Sequence, residues 1–360
     1  VTRPDGTAGV GAYNAGMNAA VISKQGSPVA PNVNLIDDWP DPSAGAGEVV
    51  VRTEAAAMNH LDLWVGRGLP GLDLDYPRIS GSDGVGVVTA VGAGVDDAWL
   101  GRRIVLNAAV PVPDRIHPGG APPPRDIRMI GEHVHGCQAE YFVAPVTNVL
   151  DVDDADPVEA AAFALVHLTA YRMLKTRAGL TPGQRVLITG IGGGVALACL
   201  NIALHFGCET IVTSRHQWKL DRARELGAHY GVLDDGEDWS RDVRAVTGKR
   251  GVDICADSIG RAVHMSCIKS MARGGTLVTC GCTTGHAPET DLARIFWNQL
   301  RIVGSTMGSM DEFREIIALF RAGAMSPVID RVVEASDAPS AYEHLESGEQ
   351  FGKIVVRWSS

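Results

Sequence analysis

Arg185-Val186-Leu187-Ile188-Thr189-Gly190-Ile191-Gly192-Gly193-Gly194-Val195-Ala196 is the stretch on which the fold turns. Its first five residues are rich in β-branched side chains with an apolar centre at Val186-Leu187-Ile188, the pattern of a strand buried inside a parallel sheet. Gly190 to Gly194 form the turn after it, and a helix is expected from about Val195 to Phe206. A second strand, Thr210–Thr213, leads into a helix over Gln217–Leu226. Gly251–Ala256, Gly275–Cys280 and Leu300–Gly304 read as further strands, separated by helical segments such as Ala262–Met271. Strands alternating with helices in this way predict a parallel α/β sheet.

Set inside a βαβ series, the turn Gly190, Gly192, Gly193, Gly194 and Val195 acquires a chemical meaning. Glycines let backbone approach a pyrophosphate, and the helix N-terminus adds unpaired N–H groups and a favourable dipole. Ala196 stands at the last small position and still permits close helix–strand packing. The end of the second strand chooses between dinucleotides. A site for NAD offers an acidic residue there to the ribose 2′-hydroxyl, whereas this chain has Ser214-Arg215-His216 and then Lys219. Those groups can donate hydrogen bonds and charge to a 2′-phosphate, which favours NADPH over NADH.

Working outward, 360 residues exceed one compact core and predict two domains. From Met17 to about residue 165 the signals are short strands broken by Gly and Pro: Asn18–Ser23, Glu48–Ala55, Gly84–Val91, Arg102–Leu106 and Ala139–Val143. They predict a partly closed antiparallel barrel. Residues 1–16 lack periodicity and are expected to be a disordered leader, and Pro111 to Pro124 a long surface loop. The pattern changes at Pro157, with a helical run over Ala160–Leu174, and Phe351–Trp358 is expected to return as a strand to the first domain. The expected division is therefore 17–167 with 318–360 as the catalytic domain and 168–317 as the dinucleotide-binding domain.

A net charge of −10 argues against nucleic acid or an anionic membrane as the main partner. No apolar run reaches bilayer length, and no basic-then-apolar signal segment opens the chain, so a cytoplasmic protein is expected. Seven scattered cysteines suit reduced thiols better than a disulfide framework. Cys280 and Cys282 read as small buried residues beside a turn.

The sequence also resembles the medium-chain dehydrogenase/reductase superfamily, which includes zinc alcohol dehydrogenases and quinone oxidoreductases. The resemblance runs from Met17 to the C-terminus. It rests on Ala57-Met58-Asn59-His60-Leu61-Asp62, Gly81-Ser82-Asp83-Gly84-Val85-Gly86-Val87-Val88, Leu168-Thr169-Ala170-Tyr171, the glycine turn, and Phe351-Gly352-Lys353-Ile354-Val355. It implies a Rossmann cofactor domain beside a barrel-like, chaperonin-10-like catalytic domain, a homodimer or homotetramer joined through the cofactor-domain sheet, and cofactor contacts from His60, Thr169 and Lys353. The positions matching the family's catalytic zinc ligands are Asn59, Ser82 and Leu165, which are poor ligands, and a leucine cannot coordinate at all. Leu61 and Trp64 stand where the family's proton relay would be, and the 111–124 region lacks the four cysteines of the structural zinc.

A zinc-free member is expected to add hydride to an activated alkene or a quinone, since zinc is what normally polarises a simple carbonyl. Such a site needs donors near a developing enolate and a proton source. Asn59, Tyr141 and His167 are the candidate catalytic groups, while Asp62 and Asp83 are expected to brace the domain through an Arg or Lys. Trp64, Leu69, Ile130 and Trp297 are candidates for an apolar pocket. His133, His135 and Cys137 alternate, so an extended segment would put them on one face where they could share an ion. A zinc-free carbonyl or alcohol dehydrogenase and a non-catalytic NADPH-binding protein remain the rival readings.

Overall fold

The computed structural model describes residues 16–69, 71–112 and 127–358. Apart from Gly16, the expected leader lies outside the described residues, as does most of the 111–124 loop.

Arg185–Ile188 is a strand and Gly194–His205 the helix that follows the glycine turn. That strand sits third in an all-parallel six-stranded sheet. The order is Tyr230–Leu233, Glu209–Ser214, Arg185–Ile188, Val252–Asp257, Met271–Thr279 and Arg301–Gly304. The chain winds outward from Arg185–Ile188 in both directions, so the carboxyl ends of it and Val252–Asp257 flank the topological switch point where such sheets bind ligands. Boundaries shift by a few residues from the sequence expectation. The helix expected to end at Met271 stops at Ser270, and Met271 opens the next strand by pairing with Val252.

The other large sheet has seven strands and is mostly antiparallel. Its main path runs Val149–Asp151, Arg103–Leu106, Gly84–Val91, Glu48–Ala57, Lys353–Arg357 and Ile329–Glu334, with Tyr141–Pro145 also paired to Glu48–Ala57. The C-terminal strand does return here, Val355, Val356 and Arg357 opposing Ala57, Ala56 and Ala55. Ile329–Glu334 is an addition, and it joins parallel to Lys353–Arg357. This is the expected barrel-like β unit, set beside the parallel α/β unit.

One helix ties the two sheets together. Asp156 caps Pro157–Tyr171 by accepting hydrogen bonds from the Val158 and Glu159 N–H groups, and Pro157 suits the first turn because its missing donor is not needed there. The helix is apolar nearly all round because it is covered all round. A single core joins it to Ala55, Ala57 and Val85 of the β unit and to Val186 and Ile188 of the parallel sheet. Its alanines at 160, 161, 162 and 164 let both layers approach closely, and its C-terminal half delivers Leu165, Val166 and Thr169 to the space between them.

Candidate active site

A cavity of about 710 Å³ opens between the carboxyl ends of the parallel strands and the β unit. One wall carries Gly190, Gly193, Gly194, Val195, Ser214, Arg215 and Lys219. The opposite wall carries Asn59, His60, Leu61, Trp64, Leu69, Met129, Glu132, His133 and Leu165.

The glycine wall fits a dinucleotide. Gly190 and Gly192 take φ of +66° and +111°, conformations that suit glycine. A Cβ on Gly192 would stand 2.8 Å from Lys219 Cδ, and one on Gly194 would stand 2.9 Å from Val166 Cγ1. No side chain caps the helix Gly194–His205, so the N–H groups of its first turn are left for an anion. Gly192 does not line the cavity itself; its carbonyl accepts from Gly352 N–H at 2.9 Å and ties the turn to the C-terminal strand.

Ser214 ends the second parallel strand, where its Oγ accepts from His216 N–H at 3.2 Å. Arg215 is exposed at the rim. Lys219 is buried against the turn, its Nζ donating to Gly348 O at 2.7 Å. Desolvation lowers the Lys219 pKa, Glu349 opposes this and Arg215 adds to it. Asp234, from the end of the next strand, also reaches this part of the cavity.

Between the walls lies a buried polar cluster that the sequence pattern does not announce. Lys353 Nζ donates to Met58 O and Asn59 Oδ1, both at 2.6 Å, and to Asp83 Oδ2 at 3.0 Å. Asp83 Oδ2 also accepts from Asn59 Nδ2 at 2.9 Å, and its other oxygen accepts from Leu165 N–H at 2.8 Å. Lys353 and Asp83 are 3% and 0% exposed at the side chain, so this is a desolvated ion pair held by a full set of hydrogen bonds. Both Asn59 amide protons are engaged, the second with Ala57 O. Asp83 thus braces through a lysine, as expected. Asp62 does not: it accepts from the Asn59 and Gly81 N–H groups instead, and burial pushes its pKa up to about 6.

These residues do not fit a zinc ion. The Asn59 oxygen already takes an ammonium proton, Ser82 Oγ donates to Ile130 O and lies outside the cavity lining, and Leu165 offers only its backbone. A buried ammonium occupies the neighbourhood that a dication would need.

The cavity brings together His60, Thr169, the glycine turn, Ser214, Arg215, Lys219, Lys353 and Asn59. His60 is open to this space, yet desolvation, with Arg67 and Lys353 nearby, holds its imidazole below the usual value. Two catalytic candidates are not brought there. Tyr141 faces a separate groove with Trp39 and His135. His167 is 2% exposed inside the tying helix, stacked on Phe163, and burial lowers its pKa to about 3.

Among the expected pocket residues, Trp64 and Leu69 line the cavity, Ile130 is buried in the β-unit core, and Trp297 is 71% exposed at the surface. The alternation of His133, His135 and Cys137 also fails, because Ile130–Gln138 is a sequence of turns rather than a strand. His133 faces the cavity, His135 accepts from Ile79 N–H in the second groove, and Cys137 is buried under Gly84. No group of three metal-ligating side chains gathers among the described residues.

Comparison with known proteins agrees with this architecture. Residues 45–154 match the alcohol dehydrogenase GroES-like domain and residues 194–322 the zinc-binding dehydrogenase family. The zinc-type alcohol dehydrogenase-like protein YogA of Leptosphaeria maculans is 30% identical over 338 residues, covering 88% of this chain and 92% of that one. The crotonyl-CoA reductase of Streptomyces avermitilis is 27% identical over 89% of this chain and 81% of its own length. A crystal structure of an NAD-dependent alcohol dehydrogenase superposes with a TM-score of 0.87 at 34% identity, covering 95% of this chain and all of that one.

A dinucleotide turn at the switch point, facing a cavity walled by a GroES-like unit, defines an NAD(P)H-dependent hydride-transfer oxidoreductase. The chain belongs to the medium-chain dehydrogenase/reductase superfamily, of zinc-type alcohol dehydrogenase-like proteins.

Proposed function

We propose that the protein is an NADPH-dependent reductase that adds hydride to an activated alkene, an enone or enoyl compound, or to a quinone, without catalytic zinc. The observation that carries this reading is Lys353, whose ammonium fills the space between Asn59 and Asp83 and uses their oxygens itself. With no Lewis acid to polarise a simple carbonyl, the accessible reaction is one in which the substrate's own conjugation spreads the incoming charge. When bound, the nicotinamide supplies the hydride. The chain's part is to hold the glycine turn, present Leu61, Trp64, Leu69, Met129, Leu165 and Met307 to an apolar substrate, and exclude water. Resemblance to a crotonyl-CoA reductase supports an alkene as substrate. Ser214 at the strand end and Arg215 and Lys219 beside it support the 2′-phosphate of NADPH.

The test measures oxidation of NADPH and of NADH against a panel of enones, enoyl thioesters, quinones and aldehydes, before and after exhaustive chelation. Preference for NADPH, turnover of conjugated substrates and indifference to chelator are expected. Activity confined to aldehydes and alcohols, or abolished by chelation, overturns the reading.

A further inference from the structure

Hydride addition to a conjugated alkene leaves an enolate that must take a proton, and the groups singled out from sequence for that task lie elsewhere. The titratable side chains on the substrate wall of the cavity are His60, Glu132, His133 and Lys353. Lys353 spends its three protons on Met58 O, Asn59 Oδ1 and Asp83 Oδ2. His60 is held as neutral imidazole by desolvation and by the Arg67 and Lys353 charges.

His133 is placed differently. Its Nδ1 lies 3.1 Å from the Met129 backbone N and 3.3 Å from Glu132 Oε1. A neutral ring with its proton on Nε2 accepts the Met129 N–H at that nitrogen. A protonated ring turns the same nitrogen into a donor toward the Glu132 carboxylate, so each protonation state has a partner. The side chain is 34% exposed and lines the cavity, and with Nδ1 engaged its remaining nitrogen, Nε2, is the one left for a ligand. Glu132 is fixed in turn, because Arg78 Nη1 donates to its carbonyl oxygen. The titratable and charged groups around the ring are therefore Glu132 beside it, with Arg78 behind Glu132, and His60 and Lys353 on the same wall of the cavity.

We propose that His133, steered by Glu132, is the catalytic acid that protonates the α-carbon of the reduced alkene. The assignment rests on the alkene reading above. Hydride bonds to the β-carbon and the alkene pair moves toward the carbonyl oxygen. The enolate then re-forms its carbonyl as its α-carbon takes the Nε2 proton; the N–H pair stays on Nε2. The ring is left neutral with Nδ1–H toward Glu132, and a proton from solvent returns to Nε2 before the next turnover; loss of the Nδ1 proton instead gives the resting ring that accepts the Met129 N–H.

His133→Asn tests this with little threat to the fold, since an asparagine oxygen can accept the Met129 N–H in place of Nδ1. H133N is expected to lose about a hundredfold or more in kcat on enones while NADPH affinity, followed by nicotinamide fluorescence, and the melting temperature stay at wild-type values. In D2O the wild type should deuterate the α-carbon on one face, and H133N on both. Glu132→Gln, which removes the partner of the protonated ring, should lower kcat on enones with KM, NADPH affinity and melting temperature unchanged. Full activity in H133N, a loss arising only from NADPH binding or unfolding, or an unchanged kcat in E132Q overturns the assignment. A wild type that reduces no conjugated alkene overturns the functional reading first, and His133's role with it.

Discussion

His167 stacks on Phe163 with ring centroids 3.8 Å apart, its Nδ1 donating to Phe163 O at 2.9 Å. Its Nε2 is buried without a hydrogen-bond partner among the described residues. A second proton on this ring would be a buried charge, which is why burial depresses its pKa to about 3, from 6.5 in the unfolded chain. The sign of the linkage follows. Above pH 6.5 neither state binds the extra proton and the full native stability is present; as pH falls from 6.5 toward 3, the unfolded chain takes a proton that the folded one refuses. At about pH 5 this one residue should cost about 2 kcal/mol relative to neutral pH. His167→Phe keeps the stacked ring and removes the titration. Its unfolding free energy, measured with denaturant, should fall less steeply than wild type between pH 6.5 and about 5. Parallel slopes for the two proteins would contradict the account. Sequence could name His167 as a helix histidine but not tell which side of its helix meets the cavity, because both sides of that helix are apolar.

At the scale of elements, the strand–turn–helix unit around Gly190–Gly194 is where local sequence and global fold agree most closely. An apolar β-branched run, a glycine turn and a small-residue helix start each point to the same geometry, and each occurs. Gly192→Ala should therefore damage a specific function. Its φ of +111° strains any Cβ, and that Cβ would lie 2.8 Å from the Lys219 side chain. We expect NADPH binding, measured by fluorescence titration, to weaken about tenfold or more with the rest of the fold intact; unchanged affinity would mean that the turn does not carry the cofactor. The helix Met310–Arg321 is absent from the sequence reading, although its start carries a local signal. Ser309 and Glu312 exchange hydrogen bonds at the start of Met310–Arg321, a spacing that marks a helix start without any tertiary information. The turn at Ile130–Gln138 was not legible, since alternation of His133, His135 and Cys137 mimics a strand. What breaks it is Gly131 at φ +89° and Gly136 packed against the Ser80 and Gly81 carbonyls, a contact between segments distant in sequence. The Lys353 cluster is hidden for the same reason: Lys353 and Asn59 are 294 positions apart, and only the return of the C-terminal strand beside Glu48–Ala57 joins them.

On the scale of the whole molecule, the parallel sheet ends at Arg301–Gly304, an edge strand with one side unpaired among the described residues. Immediately before it, the helix Leu292–Asn298 leaves Leu292, Phe296 and Trp297 69%, 68% and 71% exposed, and Ile302 of the edge strand is 45% exposed. An open strand edge flanked by large apolar side chains is a liability that proteins normally cover. The cover that needs no other partner is a second copy, its own edge strand running antiparallel about a two-fold axis, so that each helix packs against its symmetry mate. This face lies away from the cavity, since neither Phe296 nor Trp297 lines it. The wild-type chain should accordingly measure as a homodimer or higher even multimer by light scattering. The double variant F296E/W297E should place like charges across the axis and dissociate it, while NADPH binding survives. A monomeric wild type would refute this arrangement, and so would a double variant of unchanged mass. If the variant dissociates but also loses NADPH affinity, the edge strand is coupled to the cavity through Met271–Thr279, whose end leads to Cys280 in the cavity wall. Assembly would then be part of how the cleft is shaped.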